Sequence, residues 1–372
     1  MNYQKINNLF GWLAFLIAAA TYILTLEPYA SFWDCGEFIA CAYRLQVAHQ
    51  PGAPLFTMIG KVFSLLAADK TKVAYMINMS SALASAATIL FLFWTITALA
   101  KKLVVKTVSE VDLSQTILII GAGLVGSLAY AFSDTFWFSA VESEVYAQSS
   151  LCTAIVFWAI MKWDAHADEQ GADKWIVFIA YVMGLSIGIH LLNLLAIPAI
   201  ACVYYFRRTP NATGRGTLAA LFIGVIIVAA VLWGIIQYVV KGAAYADLLF
   251  VNSLNLGFWT GATTFFVLII ITLTAGIIYT MKPAKPTIIV AAVAFILVLL
   301  VSGGIIGAIV GIGIVAFLEY VVKIREKQVA LNMILTCTVF ILFGYSSFAM
   351  LVIRAKAHTN LNNSEPERWL MI

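Results

Sequence analysis

Four short clusters of polar side chains interrupt an otherwise apolar chain, and their residue types could do chemistry. The first is Phe32-Trp33-Asp34-Cys35-Gly36-Glu37, two carboxylates three positions apart among aromatic rings. A hydroxyl becomes an effective nucleophile when a positioned carboxylate takes its proton, and two carboxylates at one helix end suit that work. The same spacing fits a capping box, with Asp34 as N-cap and Glu37 at N3. Both readings stay open, because a capping geometry would itself hold the carboxylates rigidly. Arg44 and the turn His49-Gln50-Pro51-Gly52 follow.

The second cluster, SDTFWFSAVESEVY over 133–146, carries Asp134, Glu142 and Glu144 and no basic residue. These acids either face the first cluster across a cleft or are ordinary solvated loop acids. Glu142 and Glu144 cannot share a helical face, but Glu142 stands four residues from both Phe138 and Tyr146. The third cluster is His190 and Asn193, inside an apolar stretch. Polar residues at such depth mark binding paths, and loose half-helix ends leave backbone groups free for an anion. The plainer alternative is a histidine hydrogen-bonded between helices. The fourth, Tyr245, Asp247, Asn252 and Asn255, is less specific and suggests no more than cleft lining.

The elements that must hold these residues are membrane helices. Of 372 residues, 63% are apolar and 11% charged, with net charge +4, whereas a soluble domain is about a quarter charged. That excludes a soluble enzyme, a disordered chain and a nucleic-acid-binding domain. The five cysteines form no CxxC pair and the four histidines are dispersed, so neither suggests a metal centre. A span needs about 20 mostly apolar residues. Seven simple spans fit: 10–26, 75–100, 115–133, 145–161, 217–240, 261–281 and 328–353. The first lacks an Ala-x-Ala exit and reads as a retained helix.

Two longer stretches, 175–206 and 286–318, have breakers near their middles: Gly184, Gly188, His190 and Asn193 in one, Ser302-Gly303-Gly304 in the other. Both ends of each are basic, and basic loops stay in the cytoplasm, so each reads as two short helices. The expectation is an all-α polytopic membrane protein with eleven crossings, N-terminus inside. Residues 1–353 form the membrane domain, and 354–372 a short extracytoplasmic tail. On this scheme 14 of the 22 basic residues lie in inner loops. The first outer segment, 27–72, holds two amphipathic interfacial helices, 37–48 and 54–67. Gly121-Ala-Gly123-Leu-Val-Gly126 mimics a dinucleotide fingerprint, but inside a span it reads as small-residue helix packing.

With these residues placed, the chain resembles the GT-C glycosyltransferases, in which a first outer loop with interfacial helices carries an acidic catalytic residue. More closely, FWDCGEFIACAYRLQVAHQPGAPLFTMIGKVFSLLA resembles glycosyltransferase family 117, as do INMSSALASAATILFLFWTIT, AYAFSDTFWFSAVESEVYAQSS and GLSIGIHLLNLLAIPAI. Two features depart from the family: His-Pro-Pro-Gly is the commoner form of the turn, and many members continue into a large soluble C-terminal region.

The resemblance implies a polyprenyl-phosphate sugar donor, with mannose as the sugar, and a Ser or Thr hydroxyl of an exported protein as acceptor. It implies inversion by in-line displacement in an inner membrane, the site facing the periplasm and the prenyl chain between helices. Asp34 is the implied base, with Glu37 as its partner or alternate. His190, then Arg44, would meet the leaving phosphate. His49 would line the acceptor side, while Glu142, Glu144, Tyr146 and Asn193 contribute substrate contacts. No obligatory metal or other cofactor is expected, and no nucleic-acid partner. The alternatives are transfer to a lipid or surface glycan on the same scaffold, and a transporter or flippase.

Overall fold

The computed structural model describes residues 2–105, 111–325, 328–363 and 365. Lys106 and Lys327, expected in inner loops, lie outside the described residues, as do 364 and 366–372 of the expected tail and the side chains of Lys323 and Arg325. The protein is an all-α polytopic membrane protein. Among the described residues, nine helices are long and apolar enough to cross a membrane, and the one β feature is an isolated bridge between Val47 and Asn362. A bilayer offers the backbone no hydrogen bonds, so the spanning segments satisfy their own as helices. The chain divides into two compact units, Met1–Gly224 with Gly344–Ser364 and Val225–Phe343 with Glu365–Ile372. The first unit therefore takes in part of the tail expected from residue 354.

In the first unit, helix α1 (Tyr3–Leu24) leads to the interfacial pair α2 (Cys35–Arg44) and α3 (Pro54–Ser64), close to the expected positions. The long α4 (Val73–Val104) and α5 (Leu113–Ala131) follow, then short α6 (Asp134–Ala140) and α7 (Val145–His166). The core between α1, α4, α5 and α6 is built on small side chains, with Ala14, Ala18, Ala82, Ala86 and Ala140 wholly buried. Small residues let helices approach closely where no hydrophobic effect drives them together. Gly123 of α5 packs on Phe93 and Thr97 of α4, and Gly126 on Ile96, which bears out the packing reading at these two glycines, whereas Gly121 faces open space.

Helix α8 (Lys174–Ile187) stops at Gly188, and after His190 the chain resumes through a 3₁₀ turn (Leu191–Ala196) into α9 (Ile197–Arg208). The break falls where the breakers predicted it. Asp164 pairs with Lys102 and lies 3.8 Å from Arg207, tying the ends of α4, α7 and α9.

Helix α10 (Gly214–Ala229) continues through a π-helical segment (Ala230–Gln237) into α11 (Tyr238–Leu254), 41 residues in all. The expected span ended at residue 240 with a polar loop beyond; instead Tyr245, Asp247 and Asn252 lie on a helix. In the second unit α12 (Thr260–Met281) is followed by α13 (Lys285–Arg325), which bends back at Gly304 (φ 61°, ψ −154°). Only glycine adopts that conformation readily. Gly307 lies against the Leu299 carbonyl and Gly311 against Ile296, residues that a straight helix would separate by roughly 12 and 22 Å. This stretch is a helical hairpin, as Ser302-Gly303-Gly304 predicted. Helix α14 (Gln328–Tyr345) ends in a 3₁₀ turn, and α15 (Ala349–Lys356) is the last helix among the described residues.

Candidate active site

Asp34 stands at the start of α2, but the expected capping box does not form. Its backbone lies in the right-handed helical region (φ −85°, ψ 0°), and its side chain makes no cap hydrogen bond. An N-cap side chain reaches the N2 or N3 amide from extended backbone, and this one is wound in too far. Its carboxylate is left 56% exposed, 3.7 Å from Nε2 of His49.

Glu37, one turn on, is fully engaged. Its Oε1 accepts the His49 backbone N–H at 2.6 Å and Nδ2 of Asn363 at 2.8 Å, while Oε2 lies 3.0 Å from His49 Nδ1. Burial pushes this carboxyl up, but the hydrogen bonds from His49 and Asn363 outweigh that and hold it below its ordinary value. An ionised Glu37 fixes the imidazole with its proton on Nδ1, so a neutral ring presents the Nε2 lone pair toward Asp34.

The α2–α3 turn places His49. Gly52 has φ +95° and donates its N–H to the His49 carbonyl at 2.7 Å, with the Leu351 side chain packed where a Cβ would point. The His49 ring lies 5.4 Å from Phe38, itself stacked edge-on against Phe56. Trp33 (φ 58°), Leu45 (φ 49°) and Ala53 (φ 37°) occupy left-handed backbone, which carries a cost for residues with a Cβ. The surroundings hold Leu45 there: Arg354 donates to the carbonyls of Leu45 (2.6 Å) and Arg44 (3.3 Å), and Val47 exchanges backbone hydrogen bonds with Leu361 and Asn363. The C-terminal segment is thus a strap across the first outer segment. Nothing near Glu37 in the sequence pointed to Asn363, 326 positions away.

The second cluster meets the first through Cys35. Its Sγ lies 3.7 Å from Glu144 Oε1, and it also hydrogen-bonds Glu142. The reading of these residues as solvated loop acids is overturned: Glu142 is 3% and Glu144 6% exposed. Burial raises both carboxyls above their ordinary range. For Glu144 the charges of Asp34 and Glu142 add to the effect. Glu142 Oε2 has no hydrogen-bond partner among the described residues.

Tyr146, two residues on, brings its ring to 5.4 Å from that of His190. Nδ1 of His190 accepts the Leu192 N–H at 3.2 Å, and burial lowers its pKa. With Nδ1 accepting, the ring carries its proton on Nε2, so His190 can donate a hydrogen bond from that atom. Asn193 is fully buried and donates to Ser186 at 3.1 Å across the helix break. Arg44 is not brought to the site: it is exposed at the far end of α2, about 15 Å along the axis from Asp34.

Asp34, Glu37 and His49 bring one donor atom each within 4.8 Å of one another, a set that could hold a metal ion. Both Glu37 oxygens already accept hydrogen bonds from protein donors, however, so the geometry also stands without one.

Residues 34–213 match the family described as the protein O-mannosyl-transferase TMEM260 N-terminal domain. The chain is 26% identical over 145 residues to the protein O-mannosyl-transferase tmem260 of Dictyostelium discoideum, covering 39% of this chain and 16% of that protein. It is 25% identical over 173 residues to the TMEM260 protein of Mus musculus, covering 46% and 22% respectively. The matched stretch thus spans less than a quarter of either relative. No solved structure shows a significant match. Asp34, Glu37, His49, Glu142, Glu144, Tyr146, His190 and Asn193 lie within residues 34–213, whereas Asn363 and the other strap residues lie beyond them.

Proposed function

Starting from kinship with protein O-mannosyl-transferase TMEM260 over residues 34–213, we propose that this chain is a GT-C glycosyltransferase. It transfers mannose from a polyprenyl phosphate to Ser or Thr hydroxyls of exported proteins, in an inner membrane and on the periplasmic side. The observation that carries this reading is the Asp34–His49–Glu37 group at the start of an interfacial helix, half open to solvent above a lipid-embedded bundle.

Asp34 is the general base and Glu37 a positioning residue. Asp34 is the more exposed carboxylate and makes no capping bond, whereas Glu37 is spent on His49 and Asn363. As the acceptor oxygen bonds to the anomeric carbon, its proton passes to Asp34. The bond from that carbon to the phosphate oxygen breaks, its electron pair leaves with the lipid phosphate, and the configuration inverts. The Nε2–H of His190 is a donor suited to that phosphate, and Glu142 and Glu144 suit sugar or acceptor hydroxyls. A phosphate monoester leaves with its own charge, so on this proposal the reaction proceeds without an obligatory metal. Chelation is expected to leave turnover unchanged; loss restored by a divalent cation would overturn that point.

A second reading puts the base at His49, because the 3.0 Å contact of Nδ1 with Glu37 leaves Nε2 as the basic nitrogen. The test uses purified protein, polyprenyl-phosphate-mannose and Ser/Thr peptides. Asp34→Asn is expected to lower transfer roughly 10²–10⁴-fold while retaining fold and donor. Turnover that survives Asp34→Asn but not His49→Asn moves the base to His49, and survival in both sinks the proposal. Unchanged glycans on exported proteins in a deletion strain would favour a lipid or surface-glycan acceptor.

A further inference from the structure

The first unit has a second concave site, at the other ends of the same helices. Asp34 and Glu144 lie near the C-terminus of α1 and the N-termini of α4 and α7. At the opposite ends is a cavity of about 670 Å³. Helix α1 alone, from Tyr3 to Leu24, separates the two levels by roughly 32 Å, about the thickness of the hydrocarbon layer.

One wall is aromatic. The rings of Trp12, Trp94 and Trp158 follow one another at 6.3 and 6.2 Å, and Trp12 is 51% exposed on its outer side. The rim is cationic. Lys101 lies 5.2 Å from the centre of the Tyr3 ring and Lys162 lies 5.5 Å from that of Trp158. Among the described residues neither ammonium faces a carboxylate. The adjacent acid, Asp164, is taken by Lys102 and Arg207. Among the described residues, no acid lines the cavity.

Lysines at a membrane surface ordinarily snorkel outward into water. Here two of them border a hollow whose described lining holds no acid, above an apolar wall at headgroup depth. Basic pockets between the ends of membrane helices are where anionic headgroups bind.

We propose that this cavity is a binding site for the phosphate of an anionic glycerophospholipid. Lys101 and Lys162 neutralise the headgroup, and the first carbons of the acyl chains lie along the tryptophans. The site is independent of the chemistry assigned to Asp34. A freely diffusing phosphate compound would share the cationic rim but would leave the aromatic wall without a partner.

The test is lipid retention on the purified full chain, by native mass spectrometry from nanodiscs of phosphatidylglycerol and phosphatidylcholine mixed equally. Phosphatidylglycerol should be retained in preference. The double variant Lys101→Gln/Lys162→Gln should lower that preference roughly tenfold or more, and Lys101→Arg/Lys162→Arg should keep it. If the glutamine variant does not give folded protein, rising salt must erode the preference of the wild type instead. Equal retention of both lipids, a preference untouched by the glutamine pair or by salt, or displacement of the lipid by inorganic phosphate would each overturn the proposal.

Discussion

Asp34-x-x-Glu37 and Asp112-x-x-Gln115 are nearly the same sequence pattern at the starts of two helices, and they do different things. Asp112 lies on extended backbone (φ −75°, ψ 174°) and accepts the Gln115 N–H at 2.7 Å, while the Gln115 side chain bonds back: a complete capping box. Asp34 has ψ 0° and caps nothing, and Glu37 turns to His49 instead. Asp247 makes the opposite point. It lies within α11, with no capping signature, yet its 2% exposed carboxylate accepts the backbone N–H groups of Trp259, Gly261 and Ala262 at 3.0–3.2 Å, at the start of α12. An acid that satisfies a helix end is structural. One released from that task by its own backbone angle is free for chemistry.

This contrast can be broken experimentally. The largest effect is expected at Asp34: Asn should reduce transfer roughly 10²–10⁴-fold with the melting temperature unchanged. Asp247→Ala should do the reverse in its own unit, costing about 2–3 kcal/mol of stability by leaving buried amides without an acceptor. Thermal unfolding in detergent measures both. If Asp34→Asn destabilises as much as Asp247→Ala, the division between free and capping acids fails.

Next comes Asn363→Ala, which removes a donor from Glu37 across the strap. A fall in kcat of about tenfold is expected, with Asn363→Gln partly restoring it. A merely structural strap would instead lose melting temperature at unchanged kcat.

A smaller effect separates Glu144 from Glu37. Burial and the neighbouring charges of Asp34 and Glu142 raise the folded-state pKa of Glu144. The folded protein therefore holds that proton more tightly than the unfolded chain, whose glutamates titrate near 4.3. Stability from this group is present at low pH and falls as pH rises through the window between the two values. Glu144→Gln should flatten that slope, so its melting temperature gains on the wild type as pH increases. Parallel pH profiles would show that the carboxyl is already ionised. The least effect belongs to Asp112→Ala, about 1 kcal/mol from the lost cap, with transfer unaffected.

Much of the architecture was legible because lipid imposes a simple rule. Apolar stretches must be helices, and basic residues and breakers mark their ends. The interfacial pair, the break before His190 and the hairpin at Gly304 all followed from residue type alone. The continuous helix to Leu254 did not, because polar residues at a membrane surface are equally compatible with a loop or with one more turn of helix. Within the site, the approach of Glu142 and Glu144 to the first cluster was one of the two readings their sequence left open. Their burial was not, because it depends on Cys35 and on packing from distant elements. Arg44 was drawn in by charge and chain proximity, and the length of α2 carries it away.

The sequence by itself determined the class of molecule, the positions of most of its helices and the chemical inventory at their outer ends, since these depend on local composition and on the solvent the chain must meet. Only the tertiary structure decided which acid is free, which is locked and which is buried. Those fates turn on one backbone angle at Asp34 and on hydrogen bonds from His49 and Asn363, groups that chain folding alone brings to Glu37.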